Sequence, residues 1–314
     1  MSDHQFAFHD SPARAGFLNA PGLEARPGAR IVVAGVAWDG ATTNRPGARF
    51  GPGAIRRASH MLCDGWHPWL GVTPLSEIAD AGDLALPNTS LEAMRAALEP
   101  LAASLVARHH MVWLGGDHSI TLSLLRAYRS QRGRPLALVH FDAHCDTWGD
   151  HCGEPSGHGT WVREACDEGL IDPARTVQLG IRSAADPQTR DFVRARGGLI
   201  YTGRDLRGLV SPEQLARVCA DVRARLGDAP VYLSLDIDCL DPAYAPGTGT
   251  PEPGGLSSAQ VMSLLEEWHD LNWAGMDCCE VAPPYDHAEL TSAAAATLVW
   301  TYLCGRAAAR ARTA

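Results

Sequence analysis

Short apolar runs alternate along this chain with longer segments in which apolar residues recur every third or fourth position. The runs at 31–36, 111–114, 136–141, 176–180, 199–201, 231–237 and 273–279 are rich in Val, Ile and Leu. They are too short for free-standing helices and show little polar alternation, which predicts strands covered on both faces. Between them lie amphipathic segments. Ser90 is placed to cap a helix whose stripe is Leu91, Met94, Leu98, Leu101 and Leu105. Further helices are predicted at 119–131, 159–169, 211–226, 257–270 and 289–312. This alternation predicts an α/β fold of three layers, α/β/α, with a mostly parallel central sheet. No Pro/Gly/Ser-rich linker and no internal repeat divides the 314 residues, so one domain is expected rather than two.

Composition narrows the chemistry. Hydrophobic residues make up 46% and charged residues 20%, an ordinary globular balance. The formal charge is −9 with no basic run to offset it, so neither nucleic acid nor a membrane surface is an expected partner. All 27 basic residues are Arg. Without Lys, Schiff-base and pyridoxal-phosphate enzymes, P-loop NTPases and protein kinases are excluded. Met1 to Gln5 carry no basic segment followed by an apolar stretch, so no signal peptide is expected. The longest largely apolar run, 293–304, is too short to span a bilayer. Nine scattered Cys without a C-x-x-C pattern suit reduced thiols in a cytoplasmic protein. Adjacent Cys278 and Cys279 read as core filling, with a redox role as the alternative. The Arg-rich tail at 306–312 reads as a solvated helix end, with inter-subunit ion pairs as the alternative.

In a parallel α/β sheet, ligands bind beyond the C-terminal ends of the strands. Three polar clusters stand where apolar runs stop: Gly115-Gly116-Asp117-His118-Ser119, Asp142-Ala143-His144-Cys145-Asp146 and Asp236-Ile237-Asp238. In extended chain, residues two apart share a face. Asp142, His144 and Asp146 would then project together, as would Asp236 and Asp238. With His118 the set holds four carboxylates and two imidazoles. Two unit charges about 4 Å apart repel by ~4 kcal/mol even at an effective dielectric of 20, so such a set calls for cations. Oxygen-rich sites with imidazoles favour Mn²⁺ and related octahedral ions. Six side chains suit two ions with shared carboxylates better than one. A single Asp at a strand end is ordinarily a turn former, and Asp241 before Pro242 is read that way. The joint pattern has no comparable packing use.

These clusters resemble the metal motifs of the ureohydrolases, the arginase and agmatinase family. Arg45-Pro-Gly-Ala-Arg-Phe-Gly-Pro-Gly-Ala-Ile-Arg56 and Ala245-Pro-Gly-Thr-Gly-Thr-Pro-Glu-Pro-Gly-Gly255 add to the resemblance, which extends from about residue 30 to 300. It implies an arginase-like fold, with 1–314 as one ureohydrolase domain and 1–29 as an N-terminal extension. It also implies two Mn²⁺ per chain, with nickel or another divalent ion as alternatives. By motif, His118, Asp142, Asp146 and Asp236 would hold one ion, and Asp142, His144, Asp236 and Asp238 the other, with Asp142 and Asp236 bridging. A hydroxide held between the ions would attack the guanidinium carbon. His158, in Gly157-His158-Gly159-Thr160, matches the family's proton-shuttling histidine, and an imidazole titrates near working pH. Glu280 matches the glutamate that pairs with the guanidinium, which a carboxylate can fix through paired hydrogen bonds. Asp146 is counted with these as a catalytic residue. The family assembles as trimers or hexamers.

The resemblance also bears on the substrate. The segment after Asp146 carries Trp148 where an arginase-like Asn is expected, then Asp150 and Glu154, and no Arg. Together with Thr250, these residues form the expected specificity loop. Such a loop suits a substrate whose far end is positive or neutral. Agmatine, cleaved to putrescine and urea, fits that requirement, and Gly169-Leu-Ile-Asp-Pro173 and Tyr285-Asp-His-Ala-Glu-Leu-Thr291 look like agmatinase. Cys145 and Trp161 depart from its usual pattern. Guanidinobutyrate, guanidinopropionate or another guanidine is the alternative substrate. A non-catalytic metal-binding regulatory protein on the same fold is the alternative class, and retention of all six ligands weighs against it. No G-x-G-x-x-G, G-x-S-x-G or H-E-x-x-H motif supports a dehydrogenase, a serine hydrolase or a zinc peptidase.

Overall fold

The computed structural model describes residues 16–150 and 152–311. Eight strands form one sheet: β1 (Ile31–Val36), β2 (Ile78–Asp83), β3 (His110–Gly115), β4 (Leu136–Phe141), β5 (Ile171–Ile181), β6 (Leu199–Thr202), β7 (Val231–Asp236) and β8 (Trp273–Cys279). Their order is β2-β1-β3-β8-β7-β4-β5-β6, and every pairing is parallel. The helices are α1 (Gly51–Ser59), α2 (Leu91–Val106), α3 (Ile120–Arg132), α4 (Trp161–Asp167), α5 (Pro187–Arg190), α6 (Phe192–Ala195), α7 (Gly203–Leu206), α8 (Pro212–Leu226), α9 (Ser258–Glu267) and α10 (Leu290–Ala311).

Successive strand residues face opposite sides of a sheet, so each strand feeds two cores. Val112, Leu114, Val139, Phe141, Leu233 and Leu235 pack on the face covered by α8, α9 and α10. Met111, Trp113, Leu136 and Leu138 pack on the face covered by α2, α3 and α4. These two cores give the expected three layers. Ser90 caps α2 as predicted, accepting from the Ala93 N–H at 3.1 Å. Met94, Leu98 and Leu105 of its stripe are fully buried, and Leu91 and Leu101 are partly so. Cys278 and Cys279 are buried core residues.

Several expectations need correction. The pattern missed β2, whose sequence Ile-Ala-Asp-Ala-Gly-Asp lacks an apolar run. Its acids are absorbed by buried Arg56, which donates to Asp80 at 2.8 and 3.0 Å and also binds Asp83. It missed α1, which opens Gly-Pro-Gly, although Pro is favoured in a first turn. Strand β5 begins five residues earlier than predicted, at Ile171, and β7 ends at Asp236, where a tight turn over Ile237–Cys239 takes over. In the tail, Arg310 pairs with Glu77 of the same chain and Arg306 donates to the Leu271 carbonyl at 3.3 Å. Arg312, like Met1 to Gln5, lies outside the described residues. Within the 1–29 segment, Phe17 is fully buried and its N–H donates to Asp80 at 2.7 Å. Among the described residues, no helix is long and apolar enough to cross a membrane.

Candidate metal centre

The four neighbouring central strands β3, β8, β7 and β4 each end at the same place. Strand β3 delivers His118, β8 delivers Glu280, β7 delivers Asp236 and Asp238, and β4 delivers Asp142, His144 and Asp146. Because β3 and β4 are separated in the sheet by two strands from the end of the chain, a crevice opens between their exits, as at other switch points of parallel sheets.

The convergence is not the extended zigzag expected from sequence. Residues after Phe141 leave the sheet, and Asp146 has φ of 52°. Its carbonyl accepts from the Val162 and Arg163 N–H groups at the start of α4, at 3.0 and 3.4 Å, which holds this otherwise unfavourable conformation. Asp236 is the last strand residue, and its Oδ1 accepts from the Asp238 N–H at 2.8 Å, folding the two carboxylates towards each other through a turn.

The acids and imidazoles fall into two groups. His118 Nδ1 faces Asp142 Oδ2 at 3.2 Å, Asp146 Oδ2 at 3.4 Å and Asp236 Oδ2 at 3.1 Å. His144 Nδ1 faces Asp142 Oδ1 at 3.2 Å and Asp238 Oδ2 at 3.0 Å. Asp142 thus turns one oxygen to each group. All four aspartates and His118 are buried, and His144 is partly buried. One Nδ1–H cannot satisfy three carboxylate oxygens, whereas a cation among them can, so the donor set fits a divalent ion in each group. Burial and the charges of Asp142 and Asp238 push the Asp146 and Asp236 carboxyls well up. Burial would also raise Asp142, but His140, His118 and His144 outweigh it and hold that carboxyl well below its usual range.

Sequence reasoning missed the polar row beneath these groups. Asp277, Ser234, His140 and Gln178 occupy one register level across β8, β7, β4 and β5. Ser234 Oγ lies 2.7 Å from His118 Nε2 and donates to Asp277 at 2.7 Å, while Thr121 and Tyr232 donate to Asp277 at 2.9 Å. This relay keeps Nε2 of His118 occupied and turns Nδ1 to the carboxylates. Gln178 donates to the Cys145 carbonyl at 2.8 Å and to His140 Nδ1 at 3.1 Å. His140 Nε2 therefore carries the proton and donates to Asp142 at 2.8 Å. His140 lies within reach of the first group, but these bonds make it a support for Asp142. The signal was present: each of these is a lone polar residue inside an apolar run.

Glu280 closes the site. It too has a positive φ, 65°, and its N–H donates to the Gly116 carbonyl at 2.9 Å. Oε1 accepts from the His118 N–H at 2.9 Å and lies 3.0 Å from His158 Nδ1. Oε2 is buried without a hydrogen-bond partner. His158 Nε2 lies 2.8 Å from the Thr43 hydroxyl and 3.3 Å from its backbone nitrogen. Burial would lower the His158 pKa; the bond to Glu280 and the charges of Glu280, Asp117 and Asp146 outweigh it and raise it to about 9. Positive charge in the two carboxylate groups would oppose that rise.

The expected specificity residues are less uniform. Thr250 donates to Asp238 Oδ2 at 3.2 Å, within the site. Half-buried Trp148 has its ring centroid 6.5 Å from that of His144. Asp150 is exposed and accepts from the Gly153 N–H at 2.9 Å, and Glu154 is exposed; neither is brought to the ligand groups. His151, between them, lies outside the described residues.

The arginase family model matches residues 29–305. The chain belongs to the arginase family. Among curated relatives, an agmatinase of Chromobacterium violaceum is 43% identical over 281 residues, covering 88% of this chain and 84% of the relative. An agmatinase of Cronobacter sakazakii is 42% identical over 302 residues, covering 93% of each. Among solved structures, proclavaminate amidino hydrolase from Streptomyces clavuligerus superposes with a TM-score of 0.86 at 39% identity, covering 94% of this chain and 98% of that one. Arginase from Bacillus caldovelox has a TM-score of 0.72 at 27% identity, covering 88% and 98%. Family membership implies a binuclear divalent-metal centre, and the two groups around His118 and His144 form a cluster of possible ligands.

Proposed function

We propose that this chain hydrolyses agmatine to putrescine and urea at a binuclear manganese centre. His118, Asp142, Asp146 and Asp236 hold one ion, and Asp142, His144, Asp236 and Asp238 the other. When bound, the ions supply a water acidic enough to attack a guanidinium carbon near neutral pH. Glu280 Oε2, a buried carboxylate oxygen with no partner, carries the proposal, because a guanidinium N–H satisfies it directly. His158, bonded to the same carboxylate, holds the proton needed by the departing amine. Asp146 joins the catalytic set through its ligand role.

Agmatine is supported by the curated agmatinase relatives and by half-buried Trp148 beside His144, in a segment after Asp146 that carries no Arg. The test is urea release across a panel of guanidino compounds. Structural likeness to proclavaminate amidino hydrolase, at a TM-score of 0.86, favours a second reading, in which the guanidine carries another tail. The oxygen-rich donor set supports manganese, with nickel as the alternative. The domain spans 1–314, with 1–29 as the segment before β1. The homotrimer or homohexamer rests on the family resemblance, and exposed Met61, Trp66 and Trp69 offer apolar surface for a contact between copies. A cytoplasmic setting is supported by free cysteines throughout the described residues.

A further inference from the structure

Trp161 is fully buried at the first position of α4, directly against the ligand group of His118. Its indole Nε1–H donates to Asp146 Oδ2 at 2.7 Å. Its ring lies tilted against His118, centroids 4.9 Å apart, and edge-on to His140 at 5.0 Å. The same first turn of α4 holds the Asp146 carbonyl through the Val162 and Arg163 N–H groups. Asp146 is therefore fixed twice from one helix: its backbone by the helix start and its carboxylate by the indole. These contacts of Trp161 fall on Asp146, His118 and His140, all on the His118 side, and not on His144 or Asp238 of the other group. The other three aspartates have alternative supports: His140 for Asp142, the Asp238 N–H for Asp236, and the Thr250 hydroxyl and Ala143 N–H for Asp238.

We infer that Trp161 is a positioning residue for the ion held on the His118 side, acting through Asp146 and the His118 ring. The inference rests on the proposed two-ion centre. The indole donates to Oδ2, the same oxygen that faces His118 Nδ1 at 3.4 Å, and a donor fixed on a ligating carboxylate sets that carboxylate's direction. An indole suits the place, since its ring packs against both imidazoles while its N–H reaches the carboxylate. A side chain of similar bulk with no donor keeps the packing and loses the bond.

The test is titration of the metal-free full-length protein with Mn²⁺, followed by calorimetry and by competition with a chelator, for the unaltered chain, Trp161→Phe and Trp161→Met. Loss of such an outer partner typically costs about 10- to 100-fold in metal affinity. That loss is expected for one of the two ions in both variants, with the other ion bound as before. A loss confined to one ion would not follow from a general loosening of the core. Should Trp161→Phe fail to fold, Trp161→Met, more flexible and able to fill irregular space, carries the measurement. Unchanged affinity for both ions in a folded variant, or equal weakening of both, overturns the role of Trp161 and leaves the proposed function standing. Failure of the unaltered chain to bind two ions overturns both.

Discussion

Glu280 and His158 meet at 3.0 Å, Oε1 to Nδ1, and the same oxygen accepts the backbone N–H of the proposed ligand His118 at 2.9 Å. One carboxylate oxygen thus ties the proposed proton carrier to the metal groups, while its partner oxygen faces no donor. Glu280→Gln keeps an acceptor for the His118 N–H but removes the charge that matches a guanidinium. Truncating one side of a buried charge pair costs about 2–5 kcal/mol, so kcat/KM for agmatine is expected to fall by ~10²-fold or more. Metal content should stay unchanged. Steady-state kinetics with parallel metal analysis check both halves.

Asp236→Asn is expected to reduce urea release to background and to lower the bound metal below two ions per chain. The amide no longer supplies the negative charge at Oδ2, which faces His118 Nδ1 at 3.1 Å. Persistent turnover in this variant would sink the metal assignment.

Manganese should stabilise the fold. Four buried carboxylates repel in its absence, and an ion that binds only the folded chain adds RT ln(1 + [L]/Kd), about 2.7 kcal/mol at a hundredfold excess over Kd. A rise in Tm on adding Mn²⁺, reversed by a chelator, is the expected observation, and it needs no substrate.

Stability should also fall in mild acid through His110, remote from the centre. Burial, with the charges of Arg306 and Arg132, lowers this imidazole from 6.5 to about 3, and its Nε2 lies 2.8 Å from the Tyr302 hydroxyl. Below pH 6.5 the unfolded chain binds a proton that the folded chain does not. Stability is therefore complete above that pH and is lost as pH drops towards 3, at up to ~1.4 kcal/mol per unit. The difference in unfolding free energy between the unaltered chain and His110→Gln should shrink between about pH 7 and about pH 5 in denaturant titrations. A constant difference would exclude His110 as the source.

Gly116→Ala tests why the first cluster opens Gly-Gly. A Cβ there would be driven into the Trp38 carbonyl oxygen, and backbone atoms cannot swing aside as a side chain can. A loss of about 1–3 kcal/mol is expected from such overpacking, together with weaker metal binding as Asp117 and His118 shift. Thermal melts and metal titration report each effect.

Much of this was legible from the chain alone. Apolar runs located all strands except β2, because that edge strand hides its two acids against Arg56 rather than showing an apolar pattern. The six proposed ligands stood out as acids and histidines at strand ends. Their convergence did not follow from period-two spacing, because Asp146 turns back with a positive φ and Asp238 sits in a tight turn. Asp277, Ser234, His140 and Gln178 each showed as a lone polar residue in an apolar run, but their alignment into one row did not. Register between strands far apart in sequence places them side by side, and no local pattern records register. Trp161 stood out only as an unusual residue; its bond to Asp146 depends on how α4 docks.

The most direct test of the central claim is urea release by the purified, manganese-loaded chain with agmatine and guanidinobutyrate side by side. Urea and an equal amount of putrescine from agmatine, with much slower release from guanidinobutyrate, is the predicted result. No urea above blank from agmatine, while guanidinobutyrate is turned over, would contradict it.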